Sequence, residues 1–455
     1  MKLTFRLPQH LLACLFAAVL TIPASAATAE LRAGPMAGAS YMRGAKLWLQ
    51  ANGPAKVVIE YWDTKEPKKV MRTPALALRE AEDYVAQVAI DALEPGRTYG
   101  YRVRLDGKEQ PVGQLLTFRT QALWQWRGDA PDWKLAFGTC AYTNEADYDR
   151  PGQPYGGPPA AMQIYDSIAR QKPDMMLWGG DYLYHREVDQ DSESGLRYRW
   201  KRERGIREVQ SLLRTGHHFA IWDDHEYGPN DSNSSYALKG ESLKLFKRYF
   251  ANPSYGLPEA PGVFGNFIFN DAEFFLTDNR YYRDSDKLVA DDKTMLGAAQ
   301  LRWLKNALLA SVSPVKIIVV GSQVTNAVNV WEGWDKFPAE RADILKFLVD
   351  QKISGVMILS GDRHFTEMLK TERPGTYPLY ELTCSPLTSG TPSGLGAEKA
   401  NPQVVADTFV AERNFCTLDF SGTQGERKLT IRSFATDGRK LWEKEIAVAG
   451  LKAPK

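Results

Sequence analysis

Net charge is nearly absent from this chain: 57 lysines and arginines face 55 aspartates and glutamates, a formal +2 over 455 residues. That balance gives no global electrostatic case for nucleic acid or an anionic membrane, so any anion binding has to be local. No internal repeat and no low-complexity tract is found. Histidine is scarce at six and cysteine scarcer at four, so the position of each carries information. What is present is core material: 44% hydrophobic residues and 11% aromatics are ample for one large domain and a smaller one.

The first residues set Lys2 and Arg6 before the apolar stretch "LLACLFAAVLTI", then Pro23 and the small residues Ala24, Ser25 and Ala26. This predicts a secretory signal peptide over residues 1–26, too short to span a membrane. No twin-arginine pair precedes it, and most of the apolar run follows Cys14, which argues against a lipoprotein. The expectation is general secretion to a periplasm or the exterior, with no transmembrane segment after cleavage. Cys140, Cys384 and Cys416 then stay in the chain, an odd number in a compartment that permits disulfides, so one of them needs another explanation.

From about residue 30 to 122 the text is short alternating segments, among them "KLWLQA", "KVVIEYW", "DYVAQVAI", "TYGYRVRL" and "QLLTFRT". Period-two patterning at this spacing predicts a small antiparallel sandwich over residues 27–125. Its run "LEPGRTYGYRVRL" resembles a corner of fibronectin type III modules. After the tryptophan-rich junction "LWQWRGDAPDW", apolar strands alternate with amphipathic helices such as "PAAMQIYDSIARQ", "ESLKLFKRYF", "LGAAQLRWLKNALLAS" and "ADILKFLVDQ". The alternation predicts a layered α/β domain over residues 126–455, closed by the strands "NFCTLDF", "KLTIRSF" and "EKEIAVA".

Five apolar runs end alike: "KLAFGTC", "DMMLWGGD", "HFAIWDDH", "KIIVVGSQ" and "GVMILSGDRH". Ligands bind at the carboxyl ends of strands in open α/β sheets, so Cys140, Asp181, Tyr184, Asp224, His225, Gln323, Asp362 and His364 are expected to share one crevice. Singly, each has a duller explanation as a core residue, a cap or half of a disulfide. Together, several carboxylates at the edge of a core would repel one another unless a cation sat between them, and a metal ion is the simplest cation to expect.

In that order, "FGTC", "GGDYLY", "WDDHEYGPND" and "SGDRHF" resemble the motif set of the PhoD-like alkaline phosphatases, within the calcineurin-like metallophosphoesterases. The resemblance spans roughly residues 130–370. It implies a layered α-β-β-α metallophosphoesterase sandwich behind the small all-β domain, and a phosphatase or phosphodiesterase acting on phosphate mono- or diesters. Asp181 would bridge two metal ions. Cys140, Tyr184 and His364 would complete one site, suited to Fe(3+) because thiolate and phenolate are strong donors that deprotonate on binding. Asp224 and Asp362 would hold the second metal, expected to be Ca(2+), with Mn, Mg or Zn as alternatives.

Departures from the family pattern are instructive. Its asparagine and its first late-motif histidine are aspartates here, Asp224 and Asp362, which adds negative charge to the second site. The middle-strand histidine is missing, with Ser322 or Gln323 near its place. Asp223 and Asp224 are both available in principle, and it is alignment with the Asn-His pattern that selects Asp224.

The mechanism so implied is attack on phosphorus by a hydroxide generated between the two metals. His225 would stabilise the phosphoryl oxygens or protonate the leaving oxygen, with Glu226 either orienting its ring or simply solvated. Arg280 and Arg186 are the expected phosphate contacts, and Tyr142, Tyr155, Tyr227, Trp331 and Trp334 could line the wall for a leaving group. The competing reading is a non-catalytic secreted protein in which a metal staples the fold and the β-sandwich binds a glycan or a protein partner.

Overall fold

The computed structural model describes residues 28–152, 154–328 and 331–454, so the expected signal peptide and Cys14 lie outside the described residues. The alternating segments form strands β1 (Leu31–Ser40), β2 (Ala45–Ala51), β3 (Lys56–Asp63), β4 (Val85–Ile90), β5 (Thr98–Leu105) and β6 (Leu116–Arg119). Every second side chain turns inward: Leu47 and Leu49, Val57 and Ile59, Tyr99 and Tyr101 meet Phe118 in one apolar core. On the other face of β3 and β5, the buried Glu60 takes Arg72, Arg102 and Arg104, which neutralises a carboxylate that would otherwise be costly to bury.

The later strands are β7 (Trp133–Gly138), β8 (Met175–Gly179), β9 (His217–Ile221), β10 (Gly265–Phe269), β11 (Ala272–Leu276), β12 (Val315–Val319), β13 (Val356–Ser360), β14 (Glu367–Thr371), β15 (Leu379–Thr383), β16 (Asn414–Ser421), β17 (Lys428–Ala435) and β18 (Lys440–Ala447). They make two packed sheets, one of nine strands in the order β18-β17-β16-β7-β8-β9-β1-β2-β4 and one of six in the order β10-β11-β12-β13-β15-β14. Strands β7, β8 and β9 are parallel neighbours, as are β11, β12 and β13. At the centre of the larger sheet β7, β8 and β9 are buried on both faces, which is why they read as continuous apolar runs. Leu135, Phe137, Leu177 and Phe219 meet the smaller sheet. Ala136, Met176, Trp178 and Ala220 face helices Gln163–Arg170, Glu193–Arg204 and Lys239–Tyr249. Helices Ala298–Ala310 and Pro338–Asp350 add Leu304, Leu308, Ile344 and Leu348 to the core of the smaller sheet. This is the expected layered α-β-β-α arrangement, preceded by an all-β region.

The all-β region and the layered part share a sheet. β1 pairs in parallel with β9 at Ala37↔His217, so β1, β2 and β4 extend the sheet that carries the candidate site. Hydrogen bonds seal the junction, from the Trp48 indole to the Arg248 carbonyl at 2.9 Å and from the Ala39 amide to the Ala251 carbonyl at 2.8 Å. The cysteines divide as their odd number demands. Cys384, just after β15, and Cys416, in β16, form a disulfide that joins the smaller sheet to the larger, while Cys140 is free and buried. No described helix is long and apolar enough to cross a membrane.

Candidate metal centre

The strand ends are laced together by their own backbone. After β7, Cys140 and Ala141 donate to the carbonyls of Gly180 and Asp181 after β8, at 3.3 and 2.7 Å. Glu226, in the short helix Asp224–Tyr227 that follows β9, is fully buried, and its carboxylate accepts the amides of Asp181 at 2.8 Å, of Asp223 at 3.0 Å, and of Tyr182. It therefore neither orients the His225 ring nor meets solvent; it gathers two strand ends. Glycine is required beside Asp223: a Cβ on Gly321 would lie 2.6 Å from the Asp223 Cγ, and one on Gly180 would lie 2.8 Å from its Cβ.

Four expected ligands turn the chain with left-handed backbone, Cys140 at φ 61°, Asp181 at 56°, Asp362 at 67° and His364 at 54°. Each such non-glycine residue costs about 1 kcal/mol or more, and strain of this kind gathers at functional sites.

All six expected ligands and His225 come together around Asp181. Its Oδ2 lies 3.5 Å from the Cys140 sulfur and 3.3 Å from the Tyr184 hydroxyl, which in turn lies 3.2 Å from the His364 Nε2. On the other side, Asp181 forms one group with Asp223 and Asp362 and another with Asp224 and His225, the donor atoms in each lying within 4.8 Å of one another. Both adjacent aspartates thus bear on the site, whereas the sequence pattern selected only Asp224. The His225 ring lies against Tyr184 at 3.9 Å between centroids, tilted by 34°, and its Nδ1 is buried without a hydrogen bond.

The electrostatics are those of a cation site. Burial, reinforced by the neighbouring carboxylates, pushes Asp181 well above the usual carboxylate range. Asp362 is raised by burial and by Glu332, Asp223 and Asp224. Asp223 and Asp224 are raised by burial although Arg280 opposes it. The Cys140 thiol and Tyr184 phenol are raised by burial and by Asp181, while burial lowers His225 and His364 to about 3. Asp223 Oδ2 and Asp224 Oδ1 are buried with no hydrogen-bond donor. Hard oxygen donors on one side and a thiol, a phenol and an imidazole on the other are a donor set that fits metal ions.

Both expected phosphate contacts, Arg280 and Arg186, have partners within the fold. Arg280 is fully buried and bonded to Asp223 and Glu332, with Asp224 at 3.6 Å. Arg186 is paired with Asp149 at 2.7 Å, donates to the carbonyls of Tyr184 and Thr143, and stacks on Tyr142. On the middle strand, Gln323 gives its amide to Glu367 and Thr383, both at 2.8 Å, and Ser322 sits 3.3 Å from Asn279.

A cleft of about 470 Å³ opens beside Tyr184 and His225, walled by Tyr142, Tyr148 and Tyr155. Tyr227 and Trp334 are instead buried in the cores, and Trp331 is exposed and does not line that cleft. Sequence reasoning missed Asp231 and Glu332, which group with Asp224. Asp231 closes the quoted "WDDHEYGPND"; Glu332 follows no apolar strand and left no signal. The Ser385 and Ser389 hydroxyls, which meet the His364 amide and the Cys140 carbonyl, were missed as well.

Two packed sheets with acids, imidazoles and a thiol at their strand ends define a metallophosphoesterase-like fold. A family model described as PhoD-like phosphatase matches residues 150–433, and the chain belongs to that family. A second model, a domain of unknown function (DUF7800), matches residues 28–117. The chain is 23% identical over 365 residues to alkaline phosphatase D of Bacillus subtilis (strain 168), a match that covers 68% of this chain and 59% of that protein's length. The solved structure of PhoD superposes with a TM-score of 0.73 at 17% identity, covering 92% of this chain and 93% of that one. Purple acid phosphatase PPD1 from yellow lupin (Lupinus luteus) seeds gives 0.65 at 13% identity, covering 91% and 74%.

Proposed function

We propose that this protein is an exported, metal-dependent hydrolase of phosphate mono- or diesters. The observation that carries the reading is the ring of donors around Asp181, with acid oxygens buried and lacking a hydrogen-bond donor, in a chain of the PhoD-like phosphatase family. Cys140, Asp181, Tyr184 and His364 would hold a ferric ion, and Asp181, Asp224 and Asp362, joined by Asp223, a calcium ion, with manganese, magnesium or zinc as alternatives. Cations held there would draw charge from the phosphoryl oxygens and lower the pKa of nearby water.

The rest falls to the chain. In hydrolysis a water oxygen bonds to phosphorus, the bond to the ester oxygen breaks, and the departing oxygen takes a proton. The reading makes His225 the relay: its ring is neutral in the free protein and lines the cleft, so it can take the proton that the attacking water gives up and pass it to the departing oxygen. Arg280 holds Asp223 and Asp224 in register, and Glu226 holds the loops that carry them. Export to a periplasm or the exterior is supported by the Cys384–Cys416 disulfide, a bond of oxidising compartments.

The test joins elemental analysis to a release assay over nucleotides, sugar phosphates, diesters, phospholipids and teichoic-acid fragments. The expected result is bound metal, visible absorbance from a thiolate- or phenolate-bound ferric ion, and hydrolysis of at least one ester class. Metal-replete protein that hydrolyses none of them would overturn the reading.

A further inference from the structure

We propose that Arg150 selects esters with a second anionic group, phosphate or carboxylate, on the leaving side; this rests on the hydrolase reading above. Two arginines line the cleft among the described residues. Arg186 is buried and has acceptors of the fold at Nε and at both terminal nitrogens. Arg150 differs: its side chain is 76% exposed, and its partner is Glu187, itself 64% exposed, through a single carboxylate oxygen at 3.1 and 3.3 Å. Exposed ion pairs are worth at most about 1 kcal/mol, so exchanging Glu187 for a ligand anion costs little. Arginine presents a fork that matches carboxylate and phosphate alike.

Position decides which part of the substrate meets it. Arg150 and Glu187 share the cleft with Tyr184 and His225, which belong to the metal centre, and the half-exposed Tyr148 and Tyr155 also line it. A phosphoryl group among the donors of Asp181 therefore leaves its ester substituent in a cleft whose one exposed arginine among the described residues is Arg150. Glu187 competes for that cation and repels the same anion. The pair sets selectivity in opposite directions: Arg150 raises it and Glu187 limits it.

The experiment compares phenyl phosphate with 4-carboxyphenyl phosphate and 1,4-phenylene bisphosphate on metal-replete full-length protein. The readout is the ratio of KM for the plain ester to KM for each charged ester; the corresponding phosphonates are titrated by calorimetry as non-hydrolysable probes. Wild type is expected to favour the charged esters, R150Q to lower that ratio about fivefold or more, and E187Q to raise it. The carboxylate and phosphate arms show which anion is taken. An unchanged ratio in R150Q, or a lowered one in E187Q, overturns the assignment. If none of the three esters is hydrolysed, the hydrolase reading fails for this class, and the phosphonate ratios alone still decide for or against Arg150.

Discussion

At Glu226 one carboxylate holds the amides of Asp181, Tyr182 and Asp223, so its effect on chemistry runs entirely through the position of other groups. Glu226→Gln should leave the fold intact yet weaken cation binding about 10–100-fold, read by metal titration, because an amide turns a donor toward amides that need an acceptor. His225→Ala should do the reverse, keeping metal content while kcat falls by about 10²–10⁴. Proton linkage separates the metal-free from the loaded state. Burial raises Glu226 to about 8 and Glu367 to about 8, so the folded metal-free protein binds more protons there than the unfolded chain does and loses stability as pH rises toward 8. The buried histidines His185, His217, His218, His225 and His364, lowered to about 4 or about 3, act oppositely, but only below their ordinary 6.5. Between pH 6.5 and 8 the acids therefore act alone. Thermal melts should show metal-free protein less stable at pH 8 than at 6.5, with added cation narrowing the difference by the share that Glu226 contributes.

Elements differ in how plainly their sequences announce them. The strands β7, β8, β9, β12 and β13 were legible because both faces of each are buried, and the residues just beyond them were legible because strand ends are where open α/β sheets keep their chemistry. Helix Glu193–Arg204 was not, since its buried side includes Arg199 and Arg204 beside Leu196 and Trp200. Arg199 is buried by ion pairs to Asp189 and Glu145, and Arg204 by stacking on Tyr182 and Phe250, neither of which a hydropathy pattern can register. β1 was hidden by Pro35 and two glycines in a stretch without alternation. Arg280 and Arg186 were legible as cations near the site but not as partners already taken. The disulfide acts at this same scale, fastening the end of β15 to β16. Cys384→Ser with Cys416→Ser should cost about 2–4 kcal/mol in denaturant melts while leaving Cys140 and the bound metal unaltered.

At the scale of the molecule, the composition shift near residue 125 marked a change of style, and the structure adds that one sheet runs through it. Pairing partners far apart in sequence are not written in either strand, which is why the shared sheet was invisible. Starting the chain at residue 126 would strip β1, β2 and β4 from the sheet and bare the edge of β9, just before Asp223 and Asp224. Such a chain should aggregate, or, where it stays in solution, bind metal poorly; size-exclusion chromatography with elemental analysis distinguishes it from the full-length protein. The junction also dictates a calendar. His217 in β9 hydrogen-bonds the Gly38 carbonyl in β1 across 179 residues, so at common elongation rates the ribosome releases the first strand on the order of ten seconds before its parallel neighbour exists. Through that interval β2 is the one described strand with which β1 can pair, and a strand made early is among the last to be seated.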